Sequence, residues 1–139
     1  MINIRKYNSK LLNNPGVLYC GRGRTIEDIG FGNPFSQKPG TARFQVKTLA
    51  ESLGCYEAWL YKLLKAYQQQ QTRKLERWEK AYLKRVIKLA KDIENGIVTD
   101  LICFCIDLED YQPNDSNEYN CHTQLLYKVV LEIQQITSH

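Results

Sequence analysis

The sequence has 139 residues, of which 43% are hydrophobic and 24% charged, and its formal net charge is +4. These proportions describe an ordinary globular domain and exclude collagen-like, disordered and disulfide-scaffold proteins. A single domain spanning residues 1–139 is expected at this length. No stretch approaches the roughly 18 consecutive apolar residues of a membrane span, and the first ten residues are polar, so we expect a cytoplasmic protein with no membrane partner.

The positive charge is concentrated in two segments. Residues 1–47 and residues 73–91 each contain eight basic residues against two acidic ones, whereas residues 107–118 contain five acidic residues and no basic one. The second basic segment belongs to a predicted helical segment 73–95, and the acidic one to a predicted loop 107–120. A basic helix face attracts the phosphates of nucleic acids, although a solvated helix face has the same pattern. The residues that would contact phosphates are Arg73, Arg77, Lys80, Lys84, Lys88 and Lys91.

The first third of the chain combines short β-type segments with a long loop. Residues 2–7 alternate in polarity and residues 17–20 form a short β-type run, so each is predicted to be a strand. Residues 16–40 then contain six of the eight glycines. Such a composition predicts an irregular loop, and loops of this length are uncommon in compact domains unless they serve a function.

Two amphipathic helices are predicted next. Apolar residues recur at steps of three and four from Leu49 to Tyr67 and again from Leu75 to Ile93. The second helix should end at Asn95-Gly96, a favourable left-handed cap. The glutamines at 68–71 leave two alternatives open, one long helix or a helical hairpin, because glutamine is a fair helix former and no Gly or Pro interrupts.

In the last part of the chain, the sequence predicts a strand, the acidic loop and a helix. Residues 97–106 contain a nearly continuous apolar run, which is typical of a strand covered on both faces in a parallel sheet. Residues 121–136 have helical spacing, with Asn120 as a plausible N-cap. The order of elements predicts an α/β fold: a small Rossmann-like sheet flanked by helices, with a long helical excursion in the middle.

Three cysteines and a histidine form the strongest chemical pattern. Cys103 and Cys105 lie on one face of a strand end, at the edge where α/β sheets bind ligands, and Cys121-His122 opens a helix whose first amides favour an anion. Three interpretations remain open. The group could bind zinc through three thiolates and one imidazole, or Cys121 and His122 could be a reactive thiol or acid–base pair. Alternatively, the cysteines are small core residues and His122 caps the helix.

A glycine- and arginine-rich stretch forms a second pattern. Gly21-Arg22-Gly23-Arg24 follows the second predicted strand, and Gly-Phe-Gly-Asn-Pro-Phe occupies residues 30–35. Glycines let backbone amides approach an anion closely, and arginines bind phosphate or carboxylate through paired hydrogen bonds. Neither a Walker motif nor a dinucleotide fingerprint is present. A surface loop turned by Gly and Pro is the alternative.

Taken together, these motifs resemble one uncharacterised family of bacteria and phages, domain of unknown function 4326. The resemblance covers about residues 17–130. It departs from the family pattern in the inserted acidic loop and at Thr123-Gln124, where the family has Gly-Asp. The resemblance implies a Rossmann-like fold with a polar pocket built from the Gly-Arg-Gly loop, the Gly-Asn-Pro-Phe loop and the Cys-His helix start. The matching motifs are Gly21-Arg22-Gly23 after Tyr19, Gly32-Asn33-Pro34-Phe35, Trp59-Leu60, Cys103-Phe104-Cys105 and Cys121-His122.

The combined features predict a protein that binds a small anionic ligand, a nucleotide or nucleoside, by fold-level analogy. The sequence does not indicate a reaction. In this hypothesis the Gly-Arg loop holds a phosphate, Asn33 binds a polar group, and Phe35 or Phe104 stacks on a base. Acid, base or nucleophile chemistry would fall to Cys121 or His122. The ligand-binding residues would be Gly21, Arg22, Gly23, Arg24, Asn33, Phe35 and Phe104.

Two other classes of function are compatible with the sequence. The first is a zinc-stabilised module that binds nucleic acid through the basic helix, with zinc as its cofactor. The second is a non-enzymatic interaction protein whose aromatic helices pair with a partner. The zinc ligands would be Cys103, Cys105, Cys121 and His122.

Overall fold

The structure, a computed structural model, describes residues 2–8, 10–21, 29–37, 42–103 and 122–137, without the side chains of Lys6 and Cys103. Five strands and three helices lie in these ranges. The strands are β1 (Asn3–Lys6), β2 (Val17–Tyr19), β3 (Phe35–Ser36), β4 (Phe44–Gln45) and β5 (Asp100–Cys103). The helices are α1 (Leu49–Gln68), α2 (Arg77–Glu94) and α3 (His122–Thr137).

A three-stranded parallel sheet forms the centre of the fold, in the order β1-β5-β2. Leu101 of β5 pairs with Ile4 on one side and with Leu18 on the other. Leu101 and Ile102 point to opposite faces of the sheet and are both fully buried. This central position confirms that the described part of the apolar run, Asp100–Cys103, is a strand covered on both faces.

The predicted strand 97–106 begins later than the apolar run suggests. Gly96 adopts φ +74, and the amides of Ile97 and Val98 both donate to the carbonyl of Asp92, at 2.8 and 3.1 Å. These bonds complete the end of α2, so Ile97 stays in a turn and is 60% exposed. The strand starts only at Asp100. The acidic loop 107–120 and Asn120 lie outside the described residues.

The glutamine segment separates two helices, so the central excursion is a hairpin. Gln70 adopts φ +57, the amide of Gln71 donates to the Ala66 carbonyl at 2.8 Å, and that of Gln70 donates to Tyr67 at 3.2 Å. This pair of bonds is a Schellman ending at a residue other than glycine. A 3-10 turn at Thr72–Lys74 follows, and α2 then begins.

The three helices pack against one another and α3 contacts β5, which gives an α/β fold. The larger core side chains come from all three helices and from the sheet: Tyr56, Leu60, Leu63, Tyr82, Val86, Leu89, Leu101, Leu126, Val130 and Ile133. The short β3 and β4 pair in parallel within the region predicted as an irregular loop and its continuation. None of the helices in the described ranges is long and apolar enough to cross a membrane.

Candidate ligand site at the carboxyl edge of the sheet

The candidate site is the edge of the sheet where β2 and β5 end. Tyr19 pairs with Ile102, and the amide of Cys20 donates to the Ile102 carbonyl at 2.8 Å. Because the two strands are parallel, β2 and β5 end at the same edge of the sheet, and Gly21 lies at this edge. Ligands of open α/β sheets bind outside this edge.

Gly21, the first residue of the Gly-Arg-Gly motif, lies under an aromatic ring. A Cβ at this position would overlap the hydroxyl end of Tyr19. The Tyr19 ring is itself packed edge-on against Tyr7, with 5.7 Å between ring centroids. Glycine at position 21 therefore allows β2 to end with its last side chain folded over the start of the loop.

His122, the first residue of α3, is held to the end of β2. Its Nε2 lies 2.5 Å from the backbone carbonyl oxygen of Cys20, and only 9% of the residue is exposed. A carbonyl oxygen only accepts hydrogen bonds, so Nε2 carries the hydrogen. In the neutral ring the lone pair is then on Nδ1, which is the atom able to accept a proton or ligate a metal.

A pair of tyrosines connects His122 to the Gly-Asn-Pro-Phe loop. The Tyr56 ring packs edge-on against the His122 ring at 5.7 Å, and its hydroxyl oxygen lies 2.6 Å from that of Tyr82. Tyr82 donates to the carbonyl of Phe31 at 3.1 Å, so Tyr56 is the donor within the pair. Arg85 adds a hydrogen bond from Nε to the carbonyl of Gly30 at 3.0 Å. Helix α2 thus fixes the backbone of residues 30–31.

Asn33 fixes the rest of this loop to α1. Its Nδ2 donates to the hydroxyl oxygen of Ser52 at 2.9 Å, and its Oδ1 accepts from the amide of Phe35 at 2.8 Å. The Ser52 hydroxyl donates to the Phe35 carbonyl at 2.7 Å. Asn33 is 4% exposed. In these bonds both polar atoms of the Asn33 side chain contact other residues of the protein. The predicted contact of Asn33 with a ligand stays a prediction.

The amino-terminal half of α1 is the element that brings the predicted residues together. Ser52 and Tyr56 are one turn apart on its buried face; Ser52 binds the loop through Asn33, and Tyr56 contacts His122. Sequence reasoning did not identify Ser52, Tyr56, Tyr82 or Arg85 as site residues. The only sequence signal for Ser52, Tyr56 and Tyr82 was that polar groups occupy positions on the buried faces of α1 and α2, and Arg85 had no such signal.

Of the remaining predicted site residues, some lie within the described ranges and others outside them. The Phe35 ring stacks on Phe44, with centroids 5.2 Å apart. The backbone of Cys103 ends β5. Outside the described residues lie Arg22, Gly23, Arg24, Phe104, Cys105 and Cys121.

One structural feature is compatible with the zinc hypothesis, but the described residues include no set of zinc ligands. Within the described ranges, no group of three or more His, Cys, Asp or Glu side chains is placed to hold a metal ion. The thiols predicted as ligands belong to side chains that the structure does not describe. The bond from His122 Nε2 to a backbone carbonyl is the kind of bond that metal-ligating histidines make with their second ring nitrogen.

The predicted nucleic-acid contacts are on the surface of α2 and the turn before it. Arg73 is in the 3-10 turn Thr72–Lys74, and the other five residues are in α2. Lys80 is half-buried, and the rest of the set is exposed.

A groove of about 580 Å³ lies at the opposite edge of the sheet from the candidate site. It runs between the end of α2, the middle of α3 and the residues just before β1 and β5. Its apolar lining is Ile2, Ile93, Val98, Tyr127 and Leu131. The groove contains none of the residues predicted to bind a ligand.

Comparison of the chain with family models, curated proteins and solved structures finds no match.

Proposed function

We propose that this protein binds a nucleotide or nucleoside at the carboxyl edge of the β5-β2 pair. The observation that carries the proposal is the bond from His122 to the Cys20 carbonyl, which joins the start of α3 to the end of β2. That bond brings the His122 ring, whose Nε2 carries the hydrogen, to the residue before Gly21, at the edge of the parallel sheet where the Gly-Arg-Gly motif begins.

In this proposal the ligand's anionic group binds the loop that begins at Gly21. Arg22 and Arg24 supply paired hydrogen bonds to a phosphate, as guanidinium groups do. The positive end of the α3 dipole lies at the same edge and favours an anionic group there. The proposal leaves the reaction open, and it assigns any proton transfer on the protein side to Nδ1 of His122 or to Cys121.

Thermal denaturation with a panel of ligands tests the proposal. The panel contains nucleosides, nucleoside mono-, di- and triphosphates, and inorganic phosphate alone. A ligand at about 100 times its dissociation constant adds about 2.7 kcal/mol to the free energy of unfolding, so a true ligand raises the melting temperature by several degrees. Inorganic phosphate shows how much of the effect comes from the anion without the base.

Two arginine variants localise the ligand. Arg22→Ala is expected to weaken the shift, whereas Arg73→Ala, which removes the same charge from the surface turn before α2, is expected to preserve it. A panel without any shift contradicts the proposal. Equal losses in the two variants also contradict it, since the effect would then depend only on net charge.

The zinc-stabilised module is a second candidate function, favoured by the His122 arrangement. Here Nδ1 of His122, with the thiolates of Cys103, Cys105 and Cys121, would hold the ion, which would stabilise the fold. Metal analysis of protein purified without added zinc tests it, with Cys103→Ser as the variant and Cys55→Ser as the control. Stoichiometric zinc that is lost only in Cys103→Ser supports this candidate, and metal-free folded protein eliminates it.

A further inference from the structure

The exposed face of α2 is a continuous basic stripe. Its five members fall within an arc of about 80° at 3.6 residues per turn, and no acidic residue of α2 lies inside that arc. The stripe runs for about 21 Å from the first turn to the last. We call this set the α2 stripe: Arg77, Lys80, Lys84, Lys88 and Lys91.

Among the described residues, ion pairs leave most of this charge unneutralised. Lys88 pairs with Asp92 at 2.8 Å, although 77% of the lysine side chain is exposed. The buried Glu79 carboxylate points the other way, toward Trp59 and Lys62 of α1. A row of cations without interleaved acids, four of the five exposed and Lys80 half-buried, is complementary to a row of phosphates.

An exposed aromatic group lies beside the amino-terminal end of the α2 stripe. Phe44 is 44% exposed, with its ring stacked on Phe35 and 6.1 Å from the ring of Trp78, the residue after Arg77. Arg43 lies over the Trp78 ring, with its guanidinium carbon 4.4 Å from the centroid. The opposite side of Trp78 packs on Trp59 at 5.2 Å and 13°.

Phe44 is the exposed member of this group, and hydrogen bonds hold its neighbours in place. Phe35 beneath Phe44 is fixed by the Asn33 and Ser52 hydrogen bonds, and Trp78 is fixed by a bond from Nε1 to Glu76 at 2.6 Å. A phenyl ring and a planar guanidinium are both surfaces on which a nucleobase stacks. We call Arg43 and Phe44 the stacking platform.

We propose that a single-stranded nucleic acid binds along α2, with its phosphates on the α2 stripe and a base on the stacking platform. A duplex can contact the α2 stripe with its phosphates but not the stacking platform, because its bases are stacked on one another and are not free to contact Phe44. At about 3.4 Å per stacked nucleotide the stripe accommodates roughly six nucleotides. The proposed nucleotide site uses none of the residues of the α2 stripe or the stacking platform, so this inference does not depend on that site.

Fluorescence anisotropy with labelled oligonucleotides tests the stripe. The probes are single-stranded DNA and RNA of the same sequence, and the DNA duplex. Lys84→Gln with Lys91→Gln is compared with Lys10→Gln and Lys65→Gln, which remove the same charge from other exposed positions. The stripe variant is expected to lower the slope of log affinity against log salt by about 1.4, or about 0.7 for each lost contact with a single strand. Equal slopes in the two double variants contradict the proposal.

A second pair of variants tests the platform. Phe44→Leu keeps an apolar side chain but removes the ring, and is expected to weaken single-strand binding about 5- to 150-fold, the range for loss of one stacked base. Leu12→Ala truncates a comparably exposed apolar residue, 43% exposed, and is expected to leave binding unchanged. Circular dichroism establishes that both variants are folded. Unchanged affinity in Phe44→Leu, or duplex binding as tight as single-strand binding, overturns the proposal. If neither is observed, comparing the affinities for the DNA and RNA probes shows which kind of single strand the protein prefers.

Discussion

Trp59 donates a hydrogen bond from its indole Nε1 to Oε2 of Glu79 at 2.7 Å, and this bond joins α1 to α2 inside the hairpin. The same carboxylate accepts from Nζ of Lys62 at 2.9 Å and, through Oε1, from the amide of Glu76 at 2.9 Å. Glu79 is only 3% exposed, so each of these bonds replaces a bond to water. One acidic residue thereby both starts α2 and attaches it to α1.

This arrangement determines the charge of Glu79. Burial by itself raises the pKa of the carboxyl group, but the hydrogen bonds from Glu76, Lys62 and Trp59, together with the Lys62 charge, outweigh it and hold the pKa below the ordinary value of 4.5. A carboxyl group with a lowered pKa in the folded state stabilises the protein above its unfolded pKa. That stabilisation is lost as the pH falls below 4.5 toward the folded pKa.

We therefore predict that Glu79→Gln lowers the free energy of unfolding by about 1–3 kcal/mol at neutral pH, because buried donors lose a charged acceptor. The difference from the wild type should narrow below pH 4.5, where the wild-type carboxylate becomes protonated. Urea unfolding over a pH series measures both effects.

The matched control is Glu57→Gln, which removes a half-exposed carboxylate of α1 whose contact with Lys128 is 3.9 Å long. It should cost less than about 1 kcal/mol. If the difference in unfolding free energy between Glu79→Gln and the wild type were the same at every pH, the claim that Glu79 is ionised within this network would be contradicted.

The second prediction concerns the hydroxyl pair of Tyr56 and Tyr82. Tyr82→Phe removes the donor to the Phe31 carbonyl and the acceptor of the Tyr56 hydroxyl, so we expect a loss of about 1–3 kcal/mol in unfolding free energy. Tyr61→Phe is the control, since its hydroxyl makes one long bond of 3.4 Å to Glu132, and it should cost about 0.5 kcal/mol.

Burial raises the pKa of Tyr82 far above the ordinary value of 10.0. A raised folded pKa means that the stabilisation is complete below the unfolded pKa and declines as the pH rises above it. Unfolding followed in alkaline solution should therefore show a decline above pH 10.0 that is smaller in Tyr82→Phe. A Tyr82→Phe protein that declines as steeply as the wild type would refute this account.

The sheet and its edge follow from local sequence, and the hairpin does not. The apolar run around Leu101 predicts a strand covered on both faces, and such a central strand in a parallel sheet places Gly21 and His122 at one edge. The glutamine segment was undecidable because the break depends on one residue, Gln70, taking a left-handed conformation that glutamine does not favour.

The interior of the site could not be predicted for a different reason. The bonds from Tyr82 and Arg85 to residues 30–31 join groups that are more than 50 positions apart in the chain. They exist only because α2 folds back on α1, which periodicity does not reveal. Tyr56 and Ser52 contact the site residues His122 and Asn33, but in the sequence they are only members of an amphipathic helix.

The third prediction separates the structural and chemical roles of His122. His122→Gln keeps a side-chain N–H that reaches the Cys20 carbonyl but has no equivalent of the Nδ1 lone pair. His122→Ala removes both groups and should lower the free energy of unfolding by about 1–3 kcal/mol, since the carbonyl loses its donor. The glutamine variant should unfold close to the wild type while losing response to the nucleotide that stabilises the wild type.

Thermal melts of both variants, with and without that nucleotide, make the comparison. Full ligand response in His122→Gln would show that Nδ1 takes no part in binding. A glutamine variant as unstable as His122→Ala would show instead that the side chain does not reproduce the bond to Cys20.

The last prediction uses the two Schellman endings of the hairpin as a matched pair. Gln70 and Gly96 occupy the same left-handed position, at φ +57 and φ +74, and a Cβ at Gly96 would meet no atom within 4 Å. The left-handed conformation costs a residue with a Cβ about 1–2 kcal/mol, and glycine loses about 0.5–1 kcal/mol through its greater freedom in the unfolded chain. Gln70→Gly should therefore stabilise the protein by about 0.5–1 kcal/mol, and Gly96→Ala should destabilise it by a similar amount. Chemical denaturation measures both, and a destabilised Gln70→Gly protein would mean that the glutamine side chain makes a contribution larger than its backbone strain.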